Sequence, residues 1–169
     1  MNKLQSTFKE LENLYGEIYS RAQNEDEVWT SYCRLVGRED RTESEDEFVD
    51  NVQKEINFAN LLLDQFFALE AQAKYGHELG GRGYLEKQVN KWKEYLETDQ
   101  EGSDKSLIEA DQQGFDTFTE SLRLFDEDLD KWCDSLLEQY RLFKKMQKTS
   151  DALVQQIPPF KSEDAEKEI

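Results

Sequence analysis

The chain of 169 residues contains 38 Asp or Glu and 21 Lys or Arg, which gives a formal net charge of −17 at pH 7. This charge repels phosphate backbones and anionic lipid surfaces, so it disfavours direct binding to nucleic acids or membranes and favours basic protein partners. The ten Phe residues supply apolar groups that a disordered acidic chain would lack. We therefore expect one folded domain over residues 1–159.

Cysteine usage and apolar runs indicate the compartment. Cys33 and Cys133 form neither a disulfide-rich pattern nor a metal-ligand pattern. The first twelve residues lack the apolar core of a signal peptide, and the longest apolar run, Leu61 to Leu63, is far too short to cross a membrane. We expect a cytoplasmic protein in which both thiols are buried.

The first third of the chain predicts two helical pieces and a linker. Apolar residues at alternating spacings of three and four predict a helix from Lys3 to Ala22. Asn24 is a candidate N-cap for a second piece that reaches Val36. Residues 38–47 contain six acids and no apolar residue, which is typical of a linker. Ser44 and Glu47 match a capping box for the helix that follows.

The middle of the chain predicts a central helix and a short one. Residues 45–79 are apolar over much of the helical circumference, as in a helix with several neighbours. The glycines between Gly76 and Gly83 predict a turn. Residues 84–97 predict a short helix.

The last helix has the most regular pattern. Seven apolar residues follow spacings of three and four without interruption, and they predict one helix over residues 115–157: Phe115, Phe118, Leu122, Phe125, Leu129, Trp132 and Leu136. A charged tail of residues 160–169, beyond Pro158 and Pro159, is expected to be disordered. The predicted fold is all-α: an elongated antiparallel bundle with coiled-coil-like packing, built from three long helices and one short helix.

Charge changes sign along this last helix. Residues 114–140 hold eight acids and two bases, whereas residues 141–161 hold one acid and five bases. Charges of opposite sign beside apolar residues are typical of an oriented protein interface; an ordinary solvated face would carry them equally well. The candidate partner-binding residues are Asp116, Glu120, Glu127, Asp130, Asp134, Glu138, Arg141, Lys144, Lys145 and Lys148.

Catalytic and metal-binding patterns are weak. His77 is the single histidine of the chain, and no second acid–base group or set of further ligands accompanies it. Asp126, Asp128 and Asp130 match the start of a calcium-binding EF-hand loop, but Lys131 stands where that loop needs glycine. We expect no catalytic residues, no metal and no cofactor.

Two hypotheses on function follow. The first is a non-enzymatic protein–protein interaction module, either an adaptor or a subunit of a larger assembly, which could also form homo-oligomers. The alternative is an acidic inhibitor, such as an immunity protein, an antitoxin or a nucleic-acid mimic, that binds a basic partner protein. A third reading of the charge, that it only keeps the protein in solution, needs no partner.

Overall fold

The computed structural model describes residues 2–76, 80–98 and 105–157, and within these ranges it contains helices and no strands. The predicted all-α fold class is therefore confirmed. Seven helices occur in this part of the chain: α1 (Lys3–Leu11), α2 (Leu14–Gln23), α3 (Glu27–Leu35), α4 (Glu43–Tyr75), α5 (Gly81–Thr98), α6 (Lys105–Glu127) and α7 (Leu129–Val154).

The N-terminal helices are shorter than the spacing of apolar residues predicts. A turn at residues 12–13 separates α1 from α2, so the expected helix from Lys3 to Ala22 is divided. The N-cap of α3 is Asp26, whose side chain accepts a hydrogen bond from the Trp29 amide at 2.8 Å. Asn24, the predicted cap, precedes a residue with left-handed backbone geometry, Glu25, where the chain turns into α3.

The start of α4 lies earlier than expected. Thr42 and Glu45 form a reciprocal capping box: the Thr42 amide donates to Glu45 at 2.9 Å, and the Glu45 amide donates to Thr42 Oγ1 at 3.2 Å. Residues 43–47 of the expected 38–47 linker are therefore the first turn of α4. The predicted capping box at Ser44 lies inside the helix.

The single long helix expected over residues 115–157 is two helices joined at Asp128. Backbone hydrogen bonds continue through the junction, from Asp128 to Leu124 at 2.8 Å and from Trp132 to Asp128 at 3.1 Å. The Asp128 side chain accepts from the Lys131 amide, as an N-cap does. Because the helical repeat is almost continuous, the regular apolar spacing did not reveal the break.

Within the expected domain of residues 1–159, two compact units can be distinguished. Unit 1 comprises residues 1–14 and 60–140. Its interior includes Leu62, Leu69 and Leu85, and the Phe8 and Phe66 rings join α1 to α4 with their centroids 5.9 Å apart. Trp92 of α5 packs against Gly114 of α6, where an added Cβ would lie 2.5 Å from the indole ring. That contact explains a glycine inside a long helix.

Unit 2 comprises residues 15–59 and 141–169. Its apolar core joins α3, the first part of α4 and the end of α7, through the buried residues Val28, Leu35, Phe48, Val49, Val52, Val154 and Ile157. The predicted glycine turn, residues 76–83, is described only in part. Gly76 ends α4 with a φ of +71°, residues 77–79 lie outside the described residues, and α5 begins at Gly81, earlier than the expected start at residue 84, so Gly81 and Gly83 are helical. The predicted disordered tail, residues 160–169, and the prolines before it lie outside the described residues.

Candidate interaction surface

The ten charged residues that the sequence singled out are all exposed, and they lie on two helices. Asp116, Glu120 and Glu127 lie on α6, and the other seven lie on α7. Steps of three or four residues connect the members of each group, apart from a seven-residue step bridged by Arg123 on α6 and the adjacent pair Lys144 and Lys145 on α7. Each group therefore follows one side of its helix. The set therefore forms two charged stripes.

All three carboxylates of the α6 stripe have a hydrogen-bond partner in their own helix, and two of them share one arginine. Arg123 bonds to Glu120 and, at 2.6 Å, to Glu127. Gln112 donates to Asp116 at 2.9 Å. The hydrogen bond from Arg123 lowers the pKa of Glu120, and the same contact raises the pKa of Arg123. These carboxylates are held in place by short-range partners and are less available to an external cation.

The α7 stripe differs because most of its charges have no such partner. Six residues follow one another at spacings of 4, 4, 3, 4 and 3, with three acids before three bases: Asp130, Asp134, Glu138, Arg141, Lys145 and Lys148. Asp134 pairs with Lys3 of α1, whose pKa this contact raises. Within the described residues, no hydrogen bond or ion pair involves the side chains of Glu138, Arg141, Lys145 or Lys148. Lys144 borders this stripe.

The aromatic residues of α6 and α7 face the interior. Phe118, Trp132 and Leu136 are fully buried, and Phe125 and Trp132 contact each other edge to face with centroids 5.1 Å apart. Leu122 and Leu129, two members of the regular apolar spacing that predicted this helix, are half-buried. These helices therefore present charge and few apolar groups; the exceptions are Leu107 of α6, which is 48% exposed, and Leu142 of α7, which is 44% exposed.

A buried arginine that no sequence pattern predicted organises unit 2. Arg21 of α2 bonds to Glu55 of α4 at 3.2 Å, to Asp26 at 2.9 Å, to Asp151 of α7 at 3.0 Å and to the Gln147 carbonyl at 2.9 Å. Arg21 and Glu55 are 9% and 4% exposed. Ionic networks of this kind connect positions distant in sequence, so no local spacing predicts them.

Burial and charge act in opposite directions on this network. Burial raises the pKa of Glu55, although Arg21 and the Ser150 hydroxyl favour its ionised form. Burial lowers the pKa of Arg21, but attraction from Glu55, Asp151 and Asp26 together outweighs burial, so the pKa of Arg21 is raised overall. Ser150 is itself fully buried and accepts a hydrogen bond from Asn51 at 2.8 Å. The network joins α2, α4 and α7 around the buried Arg21–Glu55 pair, with Asp26 and Asp151 at its exposed edge, so it is suited to holding helices together.

A second buried polar network lies in unit 1. Gln65 of α4 is fully buried; its Oε1 accepts from Ser121 of α6 at 2.7 Å, and Gln139 of α7 exchanges hydrogen bonds with it. Asp64, one residue earlier, is half-buried, and burial raises its pKa while Lys91 lowers it. Neutral amides and hydroxyls of this type fix the register of packed helices.

The residues considered for chemistry have structural roles or lie outside the description. His77 lies outside the described residues. Asp126 bonds to Arg82 at 2.9 Å, and Asp128 caps α7, so the EF-hand-like spacing belongs to two helix ends. Among the described side chains, no group of three or more His, Cys, Asp or Glu is arranged to hold a metal ion.

The two cysteines differ from each other. Cys133 is buried, as predicted, and burial raises the pKa of its thiol. Cys33 is exposed on α3, so the prediction that both thiols are buried is wrong for this residue. Val28 and Leu35 form the buried face of α3, and Cys33 lies on its exposed side.

Comparisons with known proteins indicate no function for this chain, so the proposal below is argued from its surface. No protein-family model matches the chain, and no curated protein or solved structure is significantly similar to it. No helix among the described residues is apolar over a length that could cross a bilayer.

Proposed function

We propose that the protein is a non-enzymatic protein–protein interaction module, an adaptor or a subunit of a larger assembly, which docks its partner on the charged face of α7. The scaffold in this proposal is the antiparallel helical bundle with coiled-coil-like packing that the sequence predicts, in the cytoplasm and without a cofactor. The observation that carries the proposal is the contrast between the two stripes. Glu120 and Glu127 of α6 are paired with Arg123 of the same helix, whereas Glu138, Arg141, Lys145 and Lys148 are exposed and have no ion pair among the described residues.

The magnitudes favour a docking role for such charges over a role in stability. Exposed ion pairs contribute at most about 1 kcal/mol each to folding, so a stripe of unpaired charges contributes even less. Charges on the rim of an interface, in contrast, set the rate of association and the orientation of the partner. The stripe provides both signs on one helix, which suits orientation.

The proposal is tested by capture of the natural partner from the host with three forms of the protein. The parent is compared with a variant in which Arg141, Lys145 and Lys148 are changed to Glu. The matched control reverses Lys87, Lys93 and Lys105, which are exposed charges of α5 and α6 outside the stripe. We expect the first variant to lose the partner at least tenfold and the control to keep it, with helicity and melting temperature unchanged in both. Equal capture by all three forms would place the interface elsewhere.

The second candidate function is an acidic inhibitor that binds a basic protein. Unit 1 favours it, because its sequence holds 21 acids and 10 bases, a net charge of −11. An inhibitor that acts by charge should lose affinity steeply as salt rises, because the Debye length falls from ~30 Å at 0.01 M to ~10 Å at 0.1 M. Binding that is insensitive to salt over this range would exclude this function and leave the first.

A further inference from the structure

The charges on α7 are arranged antisymmetrically along one face. The three acids Asp130, Asp134 and Glu138 precede the three bases Arg141, Lys145 and Lys148, with the change of sign between residues 138 and 141. All six side chains are exposed, and all six belong to one helix of 26 residues. At 1.5 Å per residue the stripe is about 27 Å long.

Such a stripe is complementary to itself in one orientation. If two α7 helices lie antiparallel about a two-fold axis between residues 139 and 140, Glu138 of one copy faces Arg141 of the other. In the same register Asp134 faces Lys145, and Asp130 faces Lys148 to within one residue. Each pair occurs twice, because a two-fold interface uses the same patch on both copies. All six charges of each copy then meet a charge of opposite sign.

The parallel alternative is penalised by the same pattern. A parallel pairing in register sets each of the six residues opposite the identical residue of the other copy, and like charges that face each other are unfavourable. Leu142, 44% exposed and adjacent to Arg141, lies close to the proposed axis and adds an apolar group there.

We infer that α7 is a self-association surface, and that its occupant is α7 of a second copy of this chain, bound antiparallel. This inference rests on the proposed function, since it names the partner of the same face. The net charge of −17 opposes the approach of two copies over long distances. At 0.15 M salt the Debye length is about 8 Å, so contacts in the stripe act while most of this repulsion is screened. Because exposed charge pairs are individually weak, the dimer is expected at concentrations of roughly 0.1–1 mM.

The test uses a charge exchange that preserves composition. Glu138→Arg and Arg141→Glu each set like charges opposite each other twice per dimer. The double variant Glu138→Arg/Arg141→Glu restores opposite charges and has the net charge of the parent. Association of the pure full-length protein is measured by sedimentation equilibrium, and helicity and melting temperature are recorded for every form. Glu94→Arg and Lys93→Glu, exposed on α5, are the matched single reversals off the stripe.

We expect each single variant on the stripe to weaken dimerisation at least tenfold, and the double variant to recover it to within about threefold. The α5 variants should dimerise like the parent. A parent that is monomeric up to 1 mM, or a double variant that stays as weak as the singles, would overturn the antiparallel pairing. Neither result affects the capture experiment described above, so failure of this inference is distinct from failure of the proposed function.

Discussion

Arg21 shows how much of a small fold can depend on one charged side chain. It contacts the nearby carboxylate of Asp26 and three groups that lie 34 to 130 residues away in the sequence, the carboxylates of Glu55 and Asp151 and the Gln147 carbonyl. Arg21 and Glu55 are almost fully buried. Removing one partner of a buried ion pair leaves the other charge without compensation, which is more costly than the net contribution of the intact pair. The carboxylate of Glu55 is the group left in this position.

We predict that Arg21→Met destabilises the protein by about 3–5 kcal/mol in chemical denaturation. The control is Lys54→Met, which removes an exposed pair with Asp50 on the same unit and should change the free energy of unfolding little. Glu55→Gln in the Arg21→Met background should recover part of the loss, because it removes the uncompensated charge. If Arg21→Met behaved like Lys54→Met, the network would be a solvated cluster.

At the scale of elements, the start of α4 shows where sequence reasoning reached its limit. Two overlapping capping boxes are present, Thr42 with Glu45 and Ser44 with Glu47, and both satisfy the same local rule. The structure uses the first, in which Glu45 is only 8% exposed and the following residues Phe48 and Val49 enter the core of unit 2. Tertiary packing made the choice, and local spacing contains no information about it.

The two boxes give a matched pair of substitutions. Thr42→Ala should cost about 1 kcal/mol of unfolding free energy, because it removes the side-chain oxygen that accepts the Glu45 amide. Ser44→Ala, inside the first turn of α4, should be neutral or slightly stabilising, since alanine is the better helix former. Thermal or urea unfolding distinguishes these results. A larger loss from Ser44→Ala would place the cap where the sequence pattern put it.

Burial of a helix face was predictable from the sequence, whereas helix junctions and ion pairs were not. The apolar spacing of Phe118, Phe125 and Trp132 identified a buried helix face, since burial follows periodicity directly. The junction at Asp128 was missed because a single capping aspartate changes neither the spacing nor the backbone hydrogen bonds around it. The exposure of the ten charged residues was predictable from their position off the apolar face. Which of them are paired, as Glu120 is by Arg123, depends on side-chain geometry.

For the whole molecule, the excess of acidic over basic residues destabilises the folded state, and the ion pairs offset this effect only in part. Exposed carboxylates such as Glu120 and Asp126 are paired with arginines, but 38 acids face 21 bases. The surplus repels itself in the compact state more than in the unfolded chain. Folding stability should therefore increase with ionic strength, because salt screens this repulsion.

We predict that the melting temperature rises as NaCl increases from 0.01 M to 0.2 M, because screening weakens repulsion among the surplus carboxylates. Differential scanning calorimetry measures this directly. KCl at equal ionic strength should give the same rise, which separates screening from binding of a particular cation. A falling melting temperature would mean that the exposed ion pairs outweigh the surplus charge.

The contrast between the two thiols has a practical consequence. Thiolate is the reactive form toward maleimides, so the buried Cys133, with its raised pKa, reacts slowly while the protein is folded. Cys33 is exposed on α3 and lies outside the charged stripe of α7. The natural chain thus accepts one fluorophore at one position without any substitution. Two populations labelled at Cys33 with donor and acceptor dyes would report the meeting of two copies by energy transfer, in the unaltered protein.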